Sequence, residues 1–359
     1  MSENSDESIY TASQIAKIFR VEQTKQTILN LEEKGIIPTA KRVLRGKTPY
    51  RVWSTNQLPE IGEAIGYLKK PTKPRVFSVF SLKGGTGKSS FAFQLARTLA
   101  LHKINTLVIG LDAQESITQT IKKSSQSLEN EGMFEVNGLY QFLTEKISID
   151  DVIQGTDLPT LSYIPETIEL SVLDVWLNQQ TRKEYLFREK IVNPLLKKNI
   201  YDIIIFDCNP AWNSVVTSAL AASSTLISPL GADINSLKAA RIFTDLLAHF
   251  QEDMNHSFES FFIVPTMVEA NKLSNAILSK YRLEYESLCS TGSIKRAVVV
   301  QESNVKGKSL AETAYDAQVY EDFISVFQEI INQKQEAHPT KSGKEKQQID
   351  FEVELEANL

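Results

Sequence analysis

Short runs of consecutive apolar residues recur along the chain and alternate with longer segments whose apolar residues are three and four positions apart. The runs lie within residues 76–80, 105–111, 203–206, 225–230 and 261–265. A continuous apolar run indicates a strand buried on both faces, and the spacing between them indicates amphipathic helices. Strands separated by helices predict parallel pairing through crossover connections. We therefore expect an α/β fold with a mainly parallel sheet flanked by helices.

The pattern before residue 69 is different. Thr11 or Ser13 can cap a short helix, a tight turn follows around Arg20, and a second helix ends near Gly35. Two short helices joined by such a turn have helix-turn-helix spacing. A basic segment with turn residues comes next and predicts a two-stranded wing, before a third helix from Ser54. The cations of this segment meet no acidic residue within it: Lys41, Arg42, Arg45, Lys47 and Arg51.

A glycine-rich loop follows the first apolar run of the larger region. It reads KGGTGKSS and leads into a helical pattern. Strand, glycine loop, lysine, hydroxyl and helix are the phosphate-binding loop in its required context. The predicted nucleotide-binding residues are Lys83, Gly84, Gly85, Thr86, Gly87, Lys88, Ser89 and Ser90. Lys88 would neutralise phosphate oxygens, and Ser89 would ligate Mg²⁺.

Two acidic residues end later strands. Asp207 follows an apolar run and is expected to bind the magnesium ion through its water shell, and thus to contribute to the nucleotide site. Asp112 ends the strand after the phosphate loop and can orient the attacking water, although a carboxylate that caps the next turn is the alternative. Together with Lys88, Asp112 belongs to the predicted catalytic set, to which the family resemblance described below adds Lys83.

Composition narrows the function classes. The chain has 359 residues with a net charge of −5, so any DNA binding must come from local basic patches. Cys208 and Cys289 are far apart in sequence, which fits a reducing cytosol and argues against a disulfide framework. The acidic N-terminus has no apolar core, and no apolar run reaches 18 residues, so we expect neither a signal peptide nor a membrane span.

The loop departs from the usual phosphate-binding motif, because Leu82 stands where the first glycine is expected and Lys83 adds a second lysine. In this the chain resembles the deviant Walker-A ATPases. With the N-terminal segment, which resembles the winged helix-turn-helix of MerR-type regulators, it resembles the ParA/SopA-like plasmid partition ATPases. The family's second aspartate, two positions before Asp112, is Gly110 here.

This resemblance implies a cytoplasmic, nucleoid-associated partition ATPase that uses ATP and Mg²⁺ and hydrolyses ATP weakly without its partner. It implies a homodimer in which Lys83 reaches the other subunit's nucleotide, stimulation by a ParB-type centromere-binding protein, and autorepression of the operon. The implied division is a disordered N-terminus (1–8), a winged helix-turn-helix domain (9–68), a linker (69–75), a ParA-type P-loop ATPase domain (76–333) and a disordered tail (334–359).

Candidate DNA contacts fall into two groups. Operator contacts are expected from the second helix and the wing: Gln23, Lys25, Gln26, Arg42, Arg45 and Lys47. The resemblance adds a non-specific DNA face, whose candidates are Lys272, Lys295, Arg296, Lys306 and Lys308. The alternatives are a protein-contact domain at the N-terminus and lysines that only solvate the surface.

Three further expectations concern elements and function. Residues 161–167 are interpreted as a strand leaving the site, residues 297–313 as a last strand and a basic loop, and residues 318–333 as a helix packed on the sheet. Two other functions stay open. One is an ATP-switched transcriptional regulator without a partition role, and the other is a metabolic ATPase of the iron-protein or metal-chaperone kind, which needs cysteine ligands.

Overall fold

The larger part of the molecule is built on a seven-stranded sheet. The computed structural model describes residues 8–21, 25–45, 48–123, 137–145 and 147–332. The strands of this sheet are β4 (Arg75–Val79), β5 (Thr106–Leu111), β6 (Gln154–Gly155), β7 (Leu161–Ile164), β8 (Ile203–Cys208), β9 (Thr225–Gly231) and β10 (Ser260–Thr266). Their order is β10-β9-β4-β8-β5-β7-β6, and only β6 is antiparallel to its neighbour within this sheet. The predicted fold class is confirmed for this region.

Helices cover both faces of the sheet. They are α4 (Lys88–Leu101), α5 (Ser116–Lys122), α6 (Leu139–Thr144), α7 (Ile149–Val152), α8 (Leu170–Leu177), α9 (Asn193–Lys197), α10 (Ser214–Ala222), α11 (Ile234–Asp253), α12 (Lys272–Glu284), α13 (Val298–Val305), α14 (Leu310–Thr313) and α15 (Gln318–Asn332). Every residue of β4, β5, β8 and β9 is buried, which explains why these strands read as uninterrupted apolar runs.

The N-terminal unit has its own small antiparallel sheet. It consists of β1 (Ile9–Thr11), α1 (Ala12–Ile18), α2 (Lys25–Glu33), β2 (Lys41–Arg45), β3 (Thr48–Ser54) and α3 (Leu58–Ile65), and its strand order is β1-β3-β2. Thr11 caps α1, because its hydroxyl accepts a hydrogen bond from the backbone of Gln14. The elements that the sequence predicts as helix, helix, two strands and helix therefore all form.

This N-terminal unit is packed onto the larger domain through a shared core. Gly62 of α3 lies so close to α4 that a Cβ there would meet the Leu101 carbonyl oxygen at 2.0 Å, so only glycine fits. Tyr320 of α15 donates a hydrogen bond to the Ile18 carbonyl at 2.7 Å. Tyr10 donates to the buried carboxylate of Glu312, which also accepts from Arg97 of α4. The helix α15 thus joins the two parts, in addition to the predicted packing on the sheet.

Two element expectations were wrong. The strand β7 runs parallel to β5, so it ends at the site edge of the sheet rather than leaving the site. Residues 298–305 form the helix α13 and not a last strand. Val298 and Val305 are exposed on this helix. Val299 and Val300 pack against the core from the helix and do not extend the sheet.

Some expectations fall outside the described residues. These are the expected disorder of residues 334–359 and of residues 1–7 in the segment 1–8, and the positions of Gln23 and Lys47. In the part of the chain that is described, no helix combines the length and the apolar character needed to cross a bilayer.

Candidate nucleotide site

The phosphate-binding loop connects β4, at the middle of the sheet, to the N-terminus of α4. Gly85 and Gly87 have φ values of 76° and 85°, which side chains other than glycine rarely adopt. The loop is held from two sides, because Thr86 shares a hydrogen bond with the Ser81 hydroxyl and Thr266 of β10 donates to the Thr86 carbonyl at 2.8 Å. The result is a fixed turn whose backbone amides precede a helix N-terminus, the arrangement that binds phosphate.

The two lysines of the loop occupy different places. Lys88 is buried, and its ammonium group donates to the Lys83 carbonyl at 2.8 Å across the loop. Burial lowers the pKa of Lys88, although the charge of Asp207 opposes this effect. Lys83 instead points away from the loop, and its side chain is 31% exposed. Only Lys88 is therefore placed inside the chain's own phosphate cradle.

Lys83 forms an ion pair that the sequence did not predict. Its ammonium group lies 2.7 Å from Asp233 Oδ1. Asp233 caps α11, since it also accepts hydrogen bonds from the backbone and hydroxyl of Ser236. Burial alone would raise the pKa of Asp233, but the hydrogen bonds from Lys83 and Ser236 lower it overall. Lys83 is thus held in place by a carboxylate of its own chain.

Asp207 is fully buried at the end of β8. Among the described residues, no donor makes a hydrogen bond of good geometry to either of its carboxylate oxygens. Burial raises the pKa of Asp207 to about 7, although the nearby Ser89 hydroxyl and the positive charge of Lys88 both act to lower it. A buried carboxylate without such partners is costly unless a cation compensates its charge.

These residues fit a magnesium ion bound together with a triphosphate. The Ser89 hydroxyl lies on the first turn of α4, and Asp207 faces the same region from β8. Hydroxyl, carboxylate and phosphate oxygens are hard ligands of the kind that Mg²⁺ prefers. Ser89 and Asp207 could therefore hold Mg²⁺, which would supply positive charge beside the phosphates.

Asp112 lies directly after β5, at the same edge of the sheet. Its Oδ1 accepts a hydrogen bond from the Gln114 backbone at 3.0 Å, so this carboxylate does cap the following turn. The other oxygen, Oδ2, and the partial exposure of the side chain leave room for a contact with water. The structural role and the predicted catalytic role are thus compatible.

Sequence reasoning missed Glu166, which follows β7 and is 2% exposed. Burial and the charge of Asp207 raise its pKa to about 8, against the effect of hydrogen bonds from the Thr118 and Asp112 backbone. The signal was present, since an acidic residue follows the apolar run that forms β7. Because β7 was expected to leave the site, the acidic residue after it was not expected to lie there.

Two further side chains fix the surroundings of the loop. Ser90 accepts a hydrogen bond from the Asn304 side chain of α13, which also contacts Gln94. Asn209 follows Cys208 and donates to the Leu111 carbonyl, so it joins the ends of β8 and β5. Cys208 is buried, and burial raises the pKa of its thiol.

The candidate DNA contacts of the N-terminal unit lie in two environments. Lys25 and Gln26 are exposed at the start of α2, and Arg42 is exposed on β2. Arg51, which faces Arg42 across the hairpin, pairs with Glu32 and Glu33 of α2 at 2.9 and 3.3 Å. Arg51 is therefore paired with acidic residues of α2, which lie outside the wing segment.

The candidate cations of the other group are spread over two places. Lys272, Lys295 and Arg296 surround the loop after β10, since the Arg296 backbone pairs with Val268. Arg296 also contacts Glu269 at 2.9 Å. Lys306 is exposed at the end of α13, whereas Lys308 is largely buried against Asp157, 2.6 Å away. We therefore leave Lys308 out of any DNA surface.

Comparison with known proteins agrees with this geometry. A family model described as AAA domain (AAA_31) matches residues 74–260. The cell division protein PomZ of Myxococcus xanthus is 26% identical over 229 residues, which cover 64% of this chain and 69% of that protein. The chromosome partitioning protein ParA of the same organism is 23% identical over 261 residues, or 72% of this chain and 89% of that protein.

A solved structure shows the same fold. It is that of a plasmid partition protein from Borrelia burgdorferi bound to AMPPNP, with a TM-score of 0.60 and 24% identity, covering 72% of this chain and 100% of that chain. The chain belongs to the AAA domain family AAA_31, and it is a P-loop ATPase of the ParA type. The family match begins at residue 74, after the N-terminal unit.

Proposed function

We propose that this protein is a DNA partition ATPase that dimerises with ATP. The observation that carries the proposal is the contrast between the two lysines of the loop. Lys88 lies within its own phosphate cradle, whereas Lys83 points outward and is partly exposed. We expect an outward lysine at the edge of a phosphate site to contact a nucleotide held by a second subunit. Relatives named as cell division and chromosome partitioning proteins support the same function.

An apolar surface near the site supports dimerisation. Ile168 precedes α8, and Val172 and Val175 lie on it, with exposed fractions of 72%, 46% and 60%. Residues spaced by four and three positions share one face of a helix. An apolar face of this kind, close to the end of β7, is suited to contact a second copy around the nucleotide.

The proposed cycle uses the residues of the site in sequence. The phosphate loop would hold the triphosphate of ATP, Ser89 and Asp207 would hold Mg²⁺, and Asp112 would orient water toward the γ-phosphate. Lys83 leaves Asp233 and contacts the partner's nucleotide. Hydrolysis is expected to be slow until a ParB-type centromere-binding protein stimulates it, because a partner protein can supply further charge to the transition state.

DNA binding is proposed at two surfaces. The dimer binds DNA of any sequence in the nucleoid through Lys272, Lys295, Arg296 and Lys306, whose contacts are to phosphates. The N-terminal unit is proposed to be a winged helix-turn-helix that places the start of α2 in the major groove and the wing on the backbone, and thereby represses the protein's own operon.

The rate of ATP hydrolysis tests this function. It is measured with Mg²⁺ alone, with non-specific DNA, and with DNA plus the product of the neighbouring gene, on the full chain. A rate that rises severalfold only with both additions supports partition. A rate that ignores DNA and the neighbouring protein contradicts it.

A second candidate is an ATP-switched transcriptional regulator without a partition role. It is favoured by one observation, namely that α3 packs directly on α4, the helix that begins at the phosphate loop. Nucleotide binding can thus reach the N-terminal unit through one rigid element. Operator binding that depends on ATP, together with hydrolysis that no partner stimulates, would favour this candidate.

A further inference from the structure

We propose that Glu166 replaces the side chain that residue 110 lacks, and that its carboxylate is the positioning group that holds Asp112 and the start of α5 for ATP hydrolysis. This inference rests on the ATPase activity of the site and not on the partition role proposed above. It assigns a function to a buried acid that none of the roles described so far uses.

The first observation is that the side chain of Glu166, which follows β7, occupies the space beside Gly110 of β5. Gly110 lies in β5 and is paired in register with Asp207 of β8. A Cβ added to Gly110 would lie 2.2, 2.5 and 2.7 Å from Cγ, Cδ and Oε1 of Glu166. Real Cβ contacts are never this short. The Glu166 carboxylate therefore fills the volume in which a side chain of residue 110 would stand, beside Asp207.

The second observation is the set of groups that the carboxylate binds. Glu166 Oε1 accepts from the backbone N–H of Asp112 at 3.3 Å. Its Oε2 accepts from the N–H groups of Ile117 and Thr118, both at 3.1 Å. The Glu166 backbone in turn donates to the Thr118 hydroxyl at 2.7 Å.

Together these bonds connect Asp112, the predicted water-orienting residue, to the first turn of α5. Between them, Glu115 has a φ of 55°, a left-handed conformation that is rare outside glycine. The turn from Asp112 to Ser116 thus depends on an external group for its shape. Glu166 supplies that group from a neighbouring strand, and without it the Asp112 carboxylate would lose its fixed direction.

The direct test is the substitution Glu166→Gln, which keeps the volume of the side chain, measured at pH 9, where Glu166 with its pKa of about 8 is mostly ionised. A glutamine must turn its NH₂ group toward one of the two sets of backbone N–H groups, so one set loses its acceptor. We expect kcat for ATP hydrolysis to fall by about 100-fold, as misplacement of a reacting group by about 1 Å can do. The dissociation constant of a fluorescent ATP analogue and the KM should change by less than about twofold, since the phosphate loop is not touched.

A relocation experiment separates positioning from general damage. Glu166→Ala should lower kcat at least as much as Glu166→Gln. The double variant Gly110→Asp with Glu166→Ala returns a carboxylate to the same volume from β5, and we expect its kcat to exceed that of Glu166→Ala by about tenfold. Such a gain is a coupling between two sites in contact, which unrelated losses of stability do not produce.

Two results would overturn the inference. One is a Glu166→Gln protein that hydrolyses ATP at the parent rate. The other is a folded double variant no faster than Glu166→Ala. Both are read from turnover without DNA or a partner protein. They therefore remain decisive even if the chain has no partition role.

Discussion

At the scale of single residues, the nucleotide site contains one buried carboxylate, that of Asp207, which destabilises the fold when it is ionised. Asp207 is fully buried, and its oxygens have no satisfying partner among the residues described. Such a group destabilises the protein without ligand and becomes favourable when a cation binds. The site is therefore maintained at the expense of stability, as is common where binding and stability compete.

The first prediction concerns Asp207→Asn. In the folded protein the pKa of Asp207 is about 7, against 3.8 for an ordinary aspartate, so at pH 8 its ionisation opposes folding. Without nucleotide and Mg²⁺, we expect the variant to be about 2 kcal/mol more stable at pH 8. With both ligands, its unfolding temperature should rise less than that of the parent.

Asp202→Asn is the matched control for this experiment. Asp202 precedes β8, but its carboxylate accepts from the Asn105 backbone and pairs with Lys70 at 3.0 Å. Its neutralisation should lower stability and leave the response to ATP and Mg²⁺ unchanged. If both variants lose stability without ligand, the account of Asp207 as an unpaired acid fails.

The residues of the site could be predicted only where the signal is local. Lys88, Ser89 and Asp207 follow from one loop and one strand end, and the structure brings them together. Glu166 and Asp233 come from other strands, and their contacts depend on how those strands are ordered and directed. A single sequence carries the first kind of information but hardly the second.

At the scale of elements, the wing allows a test within one hairpin. Arg42 is exposed, whereas Arg51 opposite it is paired with Glu32 and Glu33. We expect Arg42→Ala with Arg45→Ala to lower the salt slope of operator binding by about 2, since each lost phosphate contact changes the slope by about 1.

Arg51→Ala serves as the control for the wing. It should reduce the stability of the N-terminal unit, because it leaves Glu32 without its partner, and it should not change the salt slope. Operator affinity is measured over a range of salt concentrations for all three proteins. Equal slopes for the parent and the Arg42/Arg45 variant would remove the wing from DNA binding.

A histidine at the junction of the two parts gives a pH prediction. His102 is 4% exposed and lies against the rings of Phe19 and Tyr67. Burial lowers its pKa to about 4 from 6.5, with a smaller opposing effect of the Thr98 carbonyl. Between these values the unfolded chain binds a proton that the folded chain does not, so stability falls as the pH falls.

We therefore expect His102→Phe to weaken the pH dependence of stability. Between pH 7 and pH 5 the parent should lose about 2 kcal/mol more than the variant, because only the parent carries this titration. The free energy of unfolding is measured by urea denaturation at both pH values. An equal loss in the two proteins would mean that His102 is not buried as a neutral group.

Helices and strands were predicted well where packing on both faces forces a pattern. The run at β8 and the periodicity of α10 and α15 are examples. The prediction failed for the direction of β7 and for α13, where Val298 is exposed and Val299 and Val300 are partly buried against the core. A short apolar run does not tell which way a strand crosses the sheet, since that depends on distant connections.

At the scale of the whole molecule, the N-terminal unit and the ATPase domain share one core. Tyr10, Tyr67 and Tyr320 cross the boundary, and Arg97 of α4 holds Glu312 from within the larger domain. Residues 69–75 stay predicted as a linker, and these side-chain contacts pack the two parts against each other. No sequence pattern predicted this packing, because its contacts join residues that are about 300 positions apart.

The central claim at this scale is that Lys83 acts between two subunits. In the single chain it is held by Asp233, an ion pair worth at most about 1 kcal/mol at a partly exposed position, so its release for a partner's phosphate is cheap. The other features of the dimer, including the apolar face of α8, depend on this step.

The most direct measurement is the molar mass in solution of the parent and of Lys83→Ala, with Mg²⁺ and either ATP or ADP. The parent should be a dimer with ATP and a monomer with ADP. Lys83→Ala should bind ATP with nearly the parent affinity and remain a monomer. A Lys83→Ala protein that still dimerises with ATP, or a parent that stays monomeric at saturating ATP, would contradict the account.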